Sequence, residues 1–127
     1  MKHLINDNDE LFKVAFKKLA AGVMKTEISV PNDVAKIAEE AYDKRFSSGV
    51  NFGNSDMFEL ARLLKSRQFL PLSIVLDIHK YTVKHRFSHS DSKTHRTYWE
   101  WKLYGGEPAR KWSESIVRAY IPKEVRN

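Results

Sequence analysis

The chain has 127 residues, 42% hydrophobic and 12% aromatic, which is enough for a single domain with a real core. The absence of cysteine excludes disulfides and thiolate metal sites. No apolar run approaches the roughly 18 to 20 residues of a membrane span, and MKHLINDND lacks the apolar stretch of a signal peptide, so a soluble protein that is not exported is expected.

The net charge of +6 is unevenly spread. Residues 1–30 carry +1 and residues 31–60 carry −3, whereas residues 61–127 hold fourteen Lys or Arg against six Asp or Glu. A basic second half reads either as a polyanion-facing surface or as a solvated basic face.

Asn6, Asp7, Asn8 and Asp9 offer caps for a first helix over about 7–21, whose apolar residues Leu11, Phe12, Ala15, Phe16 and Leu19 recur at helical spacing. The β-branched run 27–30 is too short to stand alone and reads as an extended connector. Pro31 then opens a second helix, with Val34, Ile37, Ala38, Ala41, Tyr42 and Phe46 on one face and Asp33, Glu39, Glu40 and Asp43 on the other. Two glycines and two asparagines within 47–54 predict a loop with positive-φ positions.

Ser55 or Asp56 caps a third helix carrying Met57, Phe58, Leu60, Ala61, Leu63 and Leu64. It closes at Leu70-Pro71, and a fourth helix runs from Pro71 to about Arg86, with Leu72, Val75, Leu76, Ile78, His79 and Thr82 or Val83 apolar. That tight connection has the outline of a helix-turn-helix, a geometry many helical domains share without touching DNA.

A polar loop follows over 88–97. A fifth helix spans about 97–104 and stops at Gly105-Gly106, and a last helix starts at Pro108 with Ala109, Trp112, Ile116, Val117 and Tyr120 inward. Residues 123–127 read as a frayed tail. The stretch 98–112 holds all three tryptophans and reads as a structural clamp: helix, glycine stop, proline restart. No internal repeat stands out. The expected architecture is all-α, one compact domain over 1–127 with five or six helices and a C-terminal aromatic cluster.

The segment 79–96 is the candidate site. It holds Lys80, Lys84, Arg86, Lys93 and Arg96, four of the five histidines and a single acid, Asp91. Cations and hydroxyls in a loop suit phosphate contacts, and Tyr81, Phe87 and Tyr98 are interleaved where unpaired bases could stack. The competing reading buries the rings and leaves the cations solvated. His85, His89 and His95 could together approach a metal, but no HExxH pattern exists and structural or surface histidines are expected. No cysteine nucleophile, GxSxG elbow or P-loop pattern is present. No catalytic residue, metal or cofactor is therefore assigned, and the chain reads as non-enzymatic.

The run VLDIHKYTVKHRFSH, the polar loop and YWEWKLYGGEPARKWSESIV resemble a small helical domain recurring in tailed-bacteriophage proteins of poorly defined function. The matching positions are Tyr81, His85, Trp99 or Trp101, Gly105, Gly106, Glu107 and Trp112, with weaker likeness over 45–53 and in ELARLLKSRQFLP. The resemblance covers about 28–119 and leaves 1–27 outside. The chain differs in carrying SSGVNFGN where that family often has a basic, glycine-rich loop, and Ala109 or Arg110 where it has a further glycine. The resemblance implies phage origin and a compact helical fold with aromatic packing, and no reaction.

Together these features make a phage-encoded nucleic-acid-binding accessory protein the first expectation. Its site would be Lys80, Lys84, Arg86, Lys93 and Arg96, in the host cytoplasm or on the virion, with DNA or RNA or a complex that handles it as partner and no membrane. The alternative is a protein–protein module: an inhibitor of a host or defence nucleic-acid enzyme, or a minor virion component. An inhibitor could use the acidic face of the second helix as a DNA mimic, or the basic segment.

Overall fold

A computed structural model of the protein describes residues 22–121. The expected first helix over 7–21 and the tail 123–127 lie outside the described residues. Within them the order is β1 (Glu27–Ser29), α1 (Asn32–Asp43), α2 (Ser55–Ser66), β2 (Phe69–Pro71), α3 (Leu72–Lys84), α4 (Arg96–Leu103) and α5 (Gly106–Tyr120). The expected all-α architecture is thus present as five helices, with one small addition.

That addition corrects the reading of 27–30 as a connector. β1 pairs with β2 antiparallel, Ile28 opposite Leu70, and both of these side chains are buried. The partner strand lies in the 67–71 connection, so α2 and α3 are joined through a ribbon and not by a helix-turn-helix turn. Its ladder continues past the strands, where Val30 N–H donates to Gln68 O (2.8 Å) and Leu72 N–H to Thr26 O (2.9 Å). Pro71 needs no ladder donor at the strand end and then sits extended as the N-cap of α3, at ψ 149°. Pro31 takes the same role before α1, so both prolines stand one residue outside the position first assigned to them.

The caps elsewhere move by a residue or two. Asn54, not Ser55 or Asp56, caps α2, its side-chain oxygen accepting from Met57 N–H at 2.9 Å. The last helix begins at Gly106, two residues before Pro108.

The larger core gathers Val34, Ala38 and Ala41 of α1, Phe58, Leu60, Ala61 and Leu64 of α2, and Phe52, Ile78, Trp99, Leu103 and Ala109. A second cluster joins Ile28, Leu72, Val75, Val117 and Ile121. Half-buried Trp112 packs against both and ties them into one compact domain. Two residues assigned to inner faces are outside: Phe46 lies past the end of α1 and is 91% exposed, and Tyr120 is exposed on the last turn of α5. At the other uncertain position, Thr82 is buried and Val83 exposed, because the Thr82 hydroxyl donates back to Ile78 O at 2.8 Å and so leaves no unsatisfied polar group. Among the described residues no helix is long and apolar enough to cross a membrane.

The Gly105 stop does more than end a helix. With φ +94° it is both the first residue after the cap of α4 and the N-cap of α5, and a Cβ there would lie 2.7 Å from Val34 Cγ1 and 2.6 Å from Ala109 Cβ. Gly105→Ala therefore combines a left-handed backbone, about 1–2 kcal/mol, with a clash against α1. Urea denaturation should show a loss of at least that size; an unchanged midpoint would contradict the packing described for this turn.

Candidate nucleic-acid interface

The basic segment starts on the last turns of α3. Beyond Lys84 the chain keeps helical turns for four residues, with Ser88 N–H and His89 N–H both donating to His85 O (3.2 and 3.3 Å). It then enters the loop leading to α4. Lys80, Lys84, Arg86, Lys93 and Arg96 are all exposed, and none makes an ion pair with another described residue. Some cations elsewhere are paired: Lys65 reaches Asp43 (3.7 Å), Lys102 reaches Glu40 (3.0 Å), and Arg110 and Arg118 both engage Glu114 (3.3 and 3.0 Å), while Lys44, Arg45 and Lys111 resemble the five in having no ion pair with another described residue.

The five do not form one surface of uniform sign. Lys80 and Lys84 line a cleft of about 550 Å³ between α2 and α3, together with Tyr81, His85 and Tyr104, while Asp56, Glu59 and Asp77 share its walls. Arg86, Lys93 and Arg96 are outside that cleft. Arg86 acts over a longer range on Glu107, whose carboxyl lies below its usual range chiefly through its hydrogen bond from Arg110.

The loop hydroxyls assigned to phosphate contacts are in use within the loop. Thr97 Oγ1 accepts from Ser90 N–H (2.9 Å), Ser92 Oγ shares a hydrogen bond with Thr94 Oγ1 (2.8 Å), and Ser90 Oγ accepts from Ser92 N–H (3.0 Å). Trp99 Nε1–H donates to Lys93 O at 2.9 Å, and the His89 ring stacks on Trp101 at 4.2 Å between centroids. The segment is therefore held against α4, and Lys93 projects from a backbone fixed by an indole.

Of the three interleaved aromatics, two are engaged. Tyr81 stacks on Tyr104 with ring centroids 3.7 Å apart, and burial raises both hydroxyl pKa values. Tyr98 lies edge-on to Trp99 with the Lys102 ammonium over its ring. Phe87 alone is free, 89% exposed, with the Arg86 guanidinium 5.0 Å from its centroid.

The histidines do not converge. His85 packs on Tyr81 and contacts Ser88 Oγ (3.2 Å), His89 covers Trp101, and His95 contacts Thr97 Oγ1 (3.1 Å). Among the described residues no three His, Cys, Asp or Glu side chains are grouped to hold a metal. The Gly105-Gly106 turn is buried against Val34, Ala109 and Ile37.

One residue that sequence reasoning gave no role shapes the site. Glu100 is buried, and its Oε2 accepts from Gly53 N–H at 2.8 Å, tying the 47–54 loop to α4. Gly53 must be glycine there, at φ +76° with Phe58 Cε2 2.7 Å from where a Cβ would be. His79, first read as apolar core, has a buried Nδ1 with no hydrogen-bond partner among the described residues. Burial lowers its pKa; the nearby Glu114 carboxylate opposes that shift and Arg110 adds to it. Compared with known proteins, the chain matches no family model, no curated sequence and no solved structure.

Removing the acceptor at Glu100 should cost about 1–3 kcal/mol in Glu100→Ala, because Gly53 N–H loses a charge-assisted bond, and less in Glu100→Gln, whose amide oxygen still accepts. Equal losses would rule out the bond as the reason. For His79 the unfolded chain binds more protons than the folded one from about pH 6.5 downward. Its contribution to stability is therefore intact above the unfolded value and is lost as pH falls through the folded one. Urea midpoints measured between about pH 7.5 and 5 should fall more steeply for the wild type than for His79→Leu.

Proposed function

We propose that the protein is a phage-encoded, non-enzymatic accessory protein that binds nucleic acid through the basic segment 79–96. The observation that carries the reading is the exposure of Lys80, Lys84, Arg86, Lys93 and Arg96 without a carboxylate partner among the described residues. Unpaired cations release no internal partner when they meet phosphate, so counterion release is available to drive association. Phage origin and the host cytoplasm or virion as its place rest on the resemblance of 28–119 to the tailed-phage domain.

The alternative, a protein–protein module acting as an inhibitor or virion component, draws less support. The acidic face that could mimic DNA is partly spent, since Glu40 pairs with Lys102 and Asp43 with Lys65. The mixed-sign cleft between α2 and α3 is the feature that favours it, because apolar Leu60, Leu63 and Ile74 line it beside both charges.

Reversing Lys84→Glu and Arg86→Glu together should abolish retention on DNA or RNA at low salt while circular dichroism stays unchanged. If all five cations meet phosphates, log affinity should fall with log salt with a slope of about −3.5 on a single strand to −4.5 on a duplex. Retention unaffected by the reversal, or absent in the wild type at low salt, would remove nucleic acid as the partner.

A further inference from the structure

The tripeptide Arg-Phe-Ser occurs twice, at 45–47 and 86–88. Each copy directly follows the C-cap of a helix, Lys44 of α1 in the first case and His85 of α3 in the second. The two rings, Phe46 and Phe87, are the most exposed large hydrophobics among the described residues, at 91% and 89%. In both, the preceding arginine holds its guanidinium over the ring, 5.1 Å from Phe46 and 5.0 Å from Phe87. Basic residues near a helix C-terminus are explained by the helix dipole, and one exposed ring needs no explanation. Neither argument accounts for the same exposed ring, under the same cation, at two turns far apart in sequence.

The two turns share one support. Six residues after Phe46, the Phe52 ring stacks on Trp99 at 5.8 Å; six residues after Phe87, Lys93 O accepts from Trp99 Nε1–H. Neighbouring α4 side chains reinforce each arm, Glu100 holding Gly53 and Trp101 covering His89. Six residues span at most about 22 Å, so the backbone of each ring lies within that distance of a residue touching the same indole. Each ring also has exposed cations without a carboxylate partner among the described residues: Lys44 and Arg45 at the first turn, Lys84 and Arg86 at the second. Beside Phe46 is a hollow of about 440 Å³ lined in part by Arg45, Asn51, Asn54 and Phe58. The Asn51 amide supplies a donor and an acceptor for a base edge, and Asn54, whose oxygen caps α2, supplies donors.

We propose that Phe46 and Phe87 are paired stacking platforms for unpaired bases, so that the ligand is a single strand of DNA or RNA that spans both turns. The proposal rests on the nucleic-acid reading above and extends it to Arg45 and Phe46, outside the segment 79–96. A duplex offers phosphates but keeps its bases stacked inside, whereas every unpaired base presents a π-face. The arginine beside each ring supplies a phosphate contact next to the stacked base.

The test is fluorescence anisotropy at low salt with labelled oligothymidylate, oligouridylate and a duplex of equal length. Phe46→Ala and Phe87→Ala should each weaken single-strand binding by roughly 5- to 150-fold and leave duplex binding unchanged. Preference for one of the two single strands assigns DNA or RNA. Because both rings are exposed, melting curves should not move. Phe87→Trp should retain affinity and Phe87→Leu should not, since leucine is apolar but cannot stack. Single-strand binding that survives loss of either ring overturns the platforms, while its sensitivity to Lys84→Glu with Arg86→Glu would still uphold the phosphate reading. Equal losses on single strand and duplex also overturn them. No binding of any probe by the wild type overturns both.

Discussion

Helix α4 is eight residues long, shorter than a helix that persists alone in water, so contacts from its own side chains must hold it in place. Those contacts determine where the rest of the candidate surface lies. Trp99 stacks on Phe52 and donates to Lys93 O; Glu100 accepts from Gly53 N–H; Trp101 carries His89; Lys102 reaches Glu40 on α1. Four consecutive side chains thus fasten two loops and a helix. A buried carboxylate among them is costly unless it is bonded, and the Gly53 amide provides that bond at a backbone position only glycine can occupy. The loops hold their shape because α4 holds them, and α4 is held because they cover it.

The tight turn at Gly105 extends this arrangement to α5. It reverses the chain against Val34 of α1, which sets α5 alongside α3 and lets Trp112 reach both hydrophobic clusters. Along α5, Glu107, Arg110, Glu114 and Arg118 form a ladder of carboxylates and guanidiniums. Its cations are neutralised at home. The contrast with α3 and the following loop is chemical as well as positional: both arginines of α5 are matched within the helix, whereas the five cations of 79–96 have no ion pair among the described residues.

Much of this was legible in the chain. Helical spacing located all five described helices to within a few residues, and the Gly-Gly stop and the tryptophan clamp read correctly as structure, since both signals are local. The ribbon was not legible. Its two strands are three residues each and forty residues apart, and only their meeting buries Ile28 and Leu70. Phe46 was misassigned because it continues the apolar period of α1, which ends at Asp43 before reaching it. Gly53 was legible as a positive-φ position in the 47–54 loop, but its bond to Glu100 was not, since a buried carboxylate in sequence looks like any solvated one.

By itself, then, the sequence determined helix-forming periods, the breaks at glycine and proline, and a basic second half whose segment 79–96 has one acid among its cations. Local propensity and composition suffice for those. Tertiary structure decided which aromatics pack and which stand free. Tyr81 and Tyr98 found partners on α4 or just beyond it, and Phe46 and Phe87 did not. It also decided which cations are matched, because pairing depends on what the fold brings within 4 Å, as Lys102 with Glu40 across sixty-two residues of chain.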